Sequence, residues 1–210
     1  MQNKAAQVLD VFSTADIDSI IKILSKLKNT PNSGNTFRAY TNGFTENDVI
    51  YKLIDKIIGN KLENIISQKI HIACGMHLKE LVPWEIHTDF HHPFDGDRIP
   101  DIAILVPLRV ASRTGEQTHT VVFNEDCCTN FIDFKSINDK LDINANSIYN
   151  EYCSHIDSED LEYVTLNGAY PWIPGSIIYW DRKLLHCSDN FLKNEITEKQ
   201  ALVLFTTAIL

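Results

Sequence analysis

Hydrophobic periodicity changes once along this chain, near residue 70, and that change limits the folds open to it. Before it, apolar residues recur at three- and four-residue steps. Ile17, Ile20, Ile21, Leu24 and Leu27 form one helical stripe, with Ser13 or Thr14 placed to cap the first turn. Val49, Ile50, Leu53, Ile54, Ile57 and Ile58 form a second stripe after Thr45, and Gly59 is placed to stop it. The intervening TPNSGNTFRAYTNG reads as a loop by composition, and residues 61–69 fit helix or strand equally. Beyond residue 70 the apolar runs are short or alternating and are separated by turn residues, which is the pattern of antiparallel strands. Strands are predicted near 70–79, 83–89, 102–110, 118–124, 162–166, 175–181, 184–187 and 200–209.

Residues 126–160, rich in Asn, Asp and Ser, are too many for a turn and read as an insertion carrying a short helix or two. Two helices packed on some eight short strands predict a mainly β sandwich or jelly roll. The 210 residues suffice for one core and are few for two, so one domain is expected over 1–210, with helical support in 1–69 and the β core in 70–210. The formal charge of −9 argues against binding by neutralising a nucleic-acid backbone or an anionic membrane surface. No stretch approaches the roughly 20 apolar residues of a membrane span, and the N-terminus lacks a secretory pattern, so a cytoplasmic protein is expected. The five cysteines are odd in number and include no C-x-x-C pair, which disfavours a disulfide framework and a thiolate zinc site.

Chemistry is suggested most strongly by PWEIHTDFHH, residues 83–92, where His87 and Asp89 stand two apart at the end of a predicted strand. Residues i and i+2 share one face, so an imidazole and a carboxylate can converge on one metal. The H-x-D spacing is weak alone, and a second one, His155 to Asp157, lies in the polar insertion with no strand leading into it. The first match has a partner the second lacks: His186, 99 residues on, opens another predicted strand after the turn at Arg182 in PGSIIYWDRKLLH. Two neutral imidazoles and one carboxylate on one face of a metal leave three coordination positions open, as a catalyst needs and a closed four-ligand site forbids.

With these residues in this order, the sequence resembles the Fe(II)- and 2-oxoglutarate-dependent oxygenases of the double-stranded β-helix (cupin-like jelly-roll) fold. The resemblance spans roughly residues 70–210 and implies His87, Asp89 and His186 as iron ligands. It also implies Lys199, at the start of the last strand, as the residue that binds the distal carboxylate of 2-oxoglutarate. Lys193 and Arg109 are alternatives for that anchor. What the resemblance implies for activity is hydroxylation of a substrate C–H bond by O2, with decarboxylation of 2-oxoglutarate to succinate. The substrate is expected to be a small molecule, a peptide or a protein. An Asp at the carboxylate position speaks against the halogenating branch of these enzymes.

Two other readings use the same residues. His87, Asp89, His91 and His92 could serve a dinuclear zinc hydrolase, which would not need His186. A non-oxidative cupin-like barrel would bind a metal or small ligand and would leave Lys199 without a task. Trp84, Tyr179, Trp180 and Phe205 are expected in the core, with Tyr179 a candidate hydrogen-bond donor to an oxoacid. Either His71 or His77 could face the site, His119 is expected to be structural, and HPFDGDRIPD (92–101) reads as a loop able to close over substrate.

Overall fold

The computed structural model describes residues 5–27, 30–31, 39–66, 69–89, 101–141 and 144–208. Its elements are β1 (Ala5–Val8), α1 (Thr14–Leu24), β2 (Thr30–Pro31), β3 (Ala39–Thr45), α2 (Val49–Ile66), β4 (Ile70–Glu80), β5 (Ile102–Ser112) and β6 (His119–Asp126). They continue with α3 (Phe131–Ile137), α4 (Ala145–Glu151), β7 (Leu166–Pro171), β8 (Ile177–Asp181), β9 (Leu184–Ser188) and β10 (Ile196–Ala208), plus short 3-10 turns at Asp160–Tyr163 and Phe191–Asn194. Among the described residues, no helix is long and apolar enough to cross a membrane.

Seven strands form one sheet in the order β1-β8-β5-β10-β4-β3-β2, and three form a second in the order β7-β6-β9, with every pairing antiparallel. The two sheets face each other as a jelly roll, and a further layer covers each outer face. On the large sheet, Ile20 and Leu24 of α1 and Ile54, Ile58 and Leu62 of α2 pack against Ile104, Val106, Leu202 and Leu204. On the small sheet, α3, α4 and the residues after them pack Phe131, Phe134, Ile148 and Cys153 against Val121, Phe123 and Leu185. Between the sheets lie Ala103, Leu105, Val203 and Phe205 from one side and Val122, Trp172 and Leu184 from the other. Burial on both faces explains why β5 reads AILVPL, a nearly continuous apolar run with no polar alternation.

A bulge sets which side chains of β4 face inward. Its pairing with β10 skips one residue between Ile72 and Cys74, opposite Thr206 and Phe205. Side chains alternate across a strand, so an extra residue reverses which parity faces inward. Ile70 and Ile72 therefore pack toward the helices, whereas Cys74, Met76 and Leu78 face the space between the sheets.

Several boundaries differ from expectation. Helix α2 runs through Gly59 because the apolar stripe continues in Leu62, which is fully buried, and this settles most of 61–69 as helix. Part of the expected loop before α2 is strand β3, which adds to the edge of β4 and buries Phe44. The strand expected at 162–166 begins at Leu166, the residues before it forming a 3-10 turn, and β1 was not expected. Residues 83–89 make an isolated bridge rather than a regular strand. Gly175 opens the turn into β8 at φ +92°, where a Cβ would stand 2.6 Å from the Phe12 carbonyl oxygen, so only glycine lets the two backbones approach. Its own carbonyl accepts from the Val11 and Phe12 N–H groups at 2.9 Å, tying the segment before α1 to the barrel.

The start of α1 also fastens the two helices together. Ser13 caps it, its Oγ accepting from the Asp16 N–H, while Asp16 Oδ2 accepts from the Ser13 N–H at 2.9 Å and from its hydroxyl at 2.7 Å. Lys61 of α2 donates to the same oxygen at 2.7 Å. These donors, Lys61 foremost, lower the Asp16 carboxyl from 3.8 to about 2. Asp16→Asn should therefore cost about 1 kcal/mol at neutral pH, a fall of roughly 2–4 °C in melting temperature for a chain of this size. A depressed folded-state value means that the wild-type advantage is full above 3.8 and fades as pH falls toward about 2. Thermal melts of both proteins across that range check this, and a gap that stays constant down to the acid end would exclude the carboxylate as its source.

Candidate metal and oxoacid site

His87 and His186 meet through their backbones. The His87 N–H donates to the His186 carbonyl at 3.0 Å and the His186 N–H returns a bond to the His87 carbonyl at 2.9 Å, in a bridge that extends the small sheet beyond β9. The imidazole centroids are 4.3 Å apart. Each ring is oriented through Nδ1, which lies 2.7 Å from the Glu85 carbonyl in His87 and 3.0 Å from the Leu184 carbonyl in His186. A carbonyl accepts and cannot donate, so each Nδ1 carries a proton, and in the neutral imidazole Nε2 then keeps its lone pair for a ligand. This is the outer-sphere arrangement that fixes the tautomer of a metal-binding histidine.

Asp89 completes the group. Its Oδ2 lies 3.5 Å from His186 Nε2, and one ligand atom from each of His87, Asp89 and His186 lies within 4.8 Å of the other two. The residue is buried, at 6% exposure. Its backbone is pinned on both sides by Arg182 in the β8–β9 turn: the Asp89 N–H donates to the Arg182 carbonyl at 3.2 Å, and the Arg182 guanidinium donates to the Asp89 carbonyl. Arg182 is itself buried, stacked 5.7 Å above the Phe205 ring, and burial lowers its guanidinium from the ordinary value against the opposing pull of Asp89. The donor set of two imidazoles and one carboxylate, with preset tautomers and a buried position, fits a divalent transition metal.

The three residues border a cavity of about 320 Å3 between the sheets. That is near the lower end of ligand pockets, roughly 300–1,000 Å3. Its walls are largely apolar, with Leu78, Leu105, Val203 and Phe205 among them, and Trp84 and Trp180 stand beside the two imidazoles at centroid distances of 5.6 and 4.9 Å. The cavity's polar lining away from the histidines includes Thr120, Ser188 and Glu80. Thr120 Oγ accepts from the Trp172 indole at 2.8 Å, which leaves its hydroxyl proton to donate elsewhere.

Lys199 lies behind this lining. It is fully buried, pairs with Glu80 Oε2 at 3.1 Å and lies 3.4 Å from Ser188 Oγ, while the Trp172 and Phe191 rings cover it at 4.1 and 4.8 Å. The two alternatives are elsewhere: Arg109 is exposed on β5, and Lys193 is exposed and donates to the Asn150 carbonyl. Tyr179 does not reach the cavity. It packs with the helical layer, because in β8 the neighbouring Trp180 takes the inward face. Neither His71 nor His77 lines the cavity, the former lying 3.5 Å from Glu46. His119 bonds Asp189 at 3.0 Å, a structural role as expected. His155 is not a surface residue: its Nε2 meets the Trp84 carbonyl at 3.1 Å, and burial lowers its pKa. His91, His92 and the loop up to residue 100 lie outside the described residues.

Sequence reasoning missed Glu80, Ser188, Thr120 and the burial of Arg182. An arginine in the turn WDRK reads as a solvated cation, and only the long-range bond to Asp89 brings it inside. For Glu80 a faint signal existed, since a strand whose neighbours Met76 and Leu78 face inward places Glu80 on the same side.

No protein-family model matches the chain, and no curated protein matches it in sequence. Solved structures do match. The epimerase SnoN in complex with Fe3+, α-ketoglutarate and nogalamycin RO superposes with a TM-score of 0.59 at 11% identity, over 99% of this chain and 80% of that one. HygX from Streptomyces hygroscopicus with nickel and 2-oxoglutarate gives 0.57 at 10% over 99% and 84%, and viral collagen prolyl hydroxylase from Paramecium Bursaria Chlorella virus-1 gives 0.51 at 14% over 98% and 96%. At such identities the likeness concerns the backbone, and by that measure the chain has the double-stranded β-helix fold of the Fe(II)- and 2-oxoglutarate-dependent oxygenases.

Proposed function

We propose that the protein is a non-haem Fe(II)- and 2-oxoglutarate-dependent oxygenase that hydroxylates a C–H bond of a small molecule, peptide or protein. The observation that carries this reading is the convergence of two Nε2 lone pairs and one buried carboxylate oxygen on a cavity whose far end is backed by a buried lysine. His87, Asp89 and His186 would hold the iron, and Lys199 would attract the distal carboxylate of the oxoacid. Bound there, Fe(II) with 2-oxoglutarate and O2 supplies the oxidation that turns C–H into C–OH while the oxoacid becomes succinate and CO2.

The chain's own residues do the rest. The backbone carbonyls of Glu85 and Leu184 hold the imidazole rings in place, and Arg182 steadies the turn that carries Asp89. Trp84, Trp180 and Phe205 exclude water from the reacting region. The neighbours include proteins described as an epimerase, a carbocyclase and a prolyl hydroxylase, so they support the general class, and hydroxylation is the outcome we propose within it. Participation of His186 in the cluster disfavours the zinc hydrolase, and binding of 2-oxoglutarate is what separates the oxygenase from the non-oxidative barrel.

Anaerobic titration of the apoprotein with Fe(II) and then 2-oxoglutarate should produce the weak visible charge-transfer band of a chelating oxoacid, and His186→Ala should lose it. Metal binding without the band would sink the oxygenase reading and leave the non-oxidative barrel. Asp89→Ala should lower turnover and metal affinity at least about 100-fold, since even outer-sphere partners are worth 10–100-fold, with a melting temperature close to wild type. An active Asp89→Ala enzyme would remove Asp89 from the ligand set. In Lys199→Ala, the 2-oxoglutarate requirement should rise much more than the Fe(II) requirement, measured by separate saturation curves, and equal effects would point to general loosening of the barrel.

A further inference from the structure

We infer that Glu80 is an internal carboxylate that competes with the distal carboxylate of the oxoacid for Lys199, and so sets how strongly the site distinguishes a charged tail from an uncharged one. This rests on the oxygenase reading above and goes beyond it, because nothing in that reading requires an acidic residue at this place. Three observations support it. Glu80 and Ser188 line the cavity, whereas Lys199 does not. The carboxylate that shows to the cavity is already 3.1 Å from the ammonium, and the same Oε2 accepts from Ser188 Oγ at 2.8 Å. The rest of the ammonium is enclosed by the Ser188 hydroxyl and by the faces of Trp172 and Phe191, so no second open side is offered to a ligand.

The pair is fixed by the sheet. Glu80 and Lys199 are direct partners in the β4–β10 register, and the bulge upstream in β4 turns Glu80 to the inner face along with Met76 and Leu78. Both side chains are buried, at 3% and 0% exposure, so their attraction is only weakly screened. An incoming tail carboxylate thus meets a lysine whose charge is already answered. It must displace Glu80 from Lys199 or sit beside a like charge, and either route removes much of the affinity a free lysine would add. A tail without charge meets no such competitor. Replacing Glu80 with glutamine keeps the side-chain size, releases the ammonium and offers an amide N–H to the ligand.

The test uses the full chain loaded with Ni(II) as an inert stand-in for Fe(II), and calorimetric titration with 2-oxoglutarate and with 2-oxopentanoate. The second compound keeps the chelating oxoacid and the five-carbon chain but ends in a methyl group. Glu80→Gln should bind 2-oxoglutarate at least about tenfold more tightly than wild type while 2-oxopentanoate changes less than about twofold, so the discrimination between them widens. Glu80→Asp, which keeps the charge but draws it back from Lys199, should shift the same way by less, and it carries the test if the glutamine variant does not fold. Unchanged or weaker 2-oxoglutarate binding in both variants would overturn the proposal and make Glu80 a support for Lys199. If Ni(II) binds but neither oxoacid binds any of the three proteins, the oxygenase reading falls as well.

Discussion

The candidate site depends on one short antiparallel bridge. Two backbone hydrogen bonds between His87 and His186 join parts of the chain separated by the whole insertion and four strands. Residues 83–89 have no ladder of their own to fix their register, so these bonds, with the Asp89 N–H to the Arg182 carbonyl one step further on, fix it instead. A slip of one residue in this segment would turn the His87 imidazole and the Asp89 carboxylate to the opposite face, away from His186, which β9 holds by its own ladder with β6. The bridge therefore sets not just proximity but orientation. The bonds from both Nδ1 atoms to carbonyls two residues upstream then remove the remaining freedom of the rings.

Around that bridge the fold is built as four layers, and each layer has a task. Helices α1 and α2 bury the outer face of the large sheet, and the insertion buries the outer face of the small one, so both sheets are supported from behind. Supported sheets bend little, which is what a site assembled from segments far apart in the chain needs. The insertion also approaches the site from its own side: Cys153, which follows α4, touches Cys187 at 3.7 Å between sulfurs, and Cys187 is next in sequence to His186 and lines the cavity. Burial and the neighbouring thiol raise Cys187 well above its ordinary value, so it packs there as a neutral group.

What was legible in the sequence follows from which signals are local. The H-x-D spacing is read from two residues on one strand face, and the distal histidine is announced by the strand–turn–strand around Arg182. The amphipathic stripes of α1 and α2 are equally local, and only the stop at Gly59 failed, because a helix ends where its buried stripe ends and Leu62 extends it. Strand β7 escaped because LNGAYP carries Asn, Gly and Pro, residues that weaken strand propensity but are tolerated when pairing with β6 is supplied by the fold. Strand β1 has too few residues to show a pattern at all. Glu80 and Arg182 were least visible, since a charged side chain is expected outside, and the partners that bring these two inside lie more than ninety residues away in the chain.

Those buried charges show how the interior stays tolerable for a polar site. Glu80 answers Lys199 directly, Arg182 lies against the Asp89 segment, and Asp189 takes bonds from the Thr118 hydroxyl, the His119 N–H and the His119 ring. Glu80 and Lys199 thus answer each other, Asp189 is met by several donors, and Arg182 is met by a carbonyl acceptor and an aromatic face, which offsets their desolvation. The compensation is also distributed unevenly in a useful way. At the histidine end, Arg182 braces the backbone of Asp89, and one ligand atom from each imidazole gathers beside a single carboxylate. At the lysine end, positive charge is buried behind its own counter-ion. On the proposed reading, a cavity with a lone-pair cluster at one end and a balanced ion pair at the other would hold a chelating head group more firmly than a charged tail, and that asymmetry would follow from which residues the strand register brings to each end.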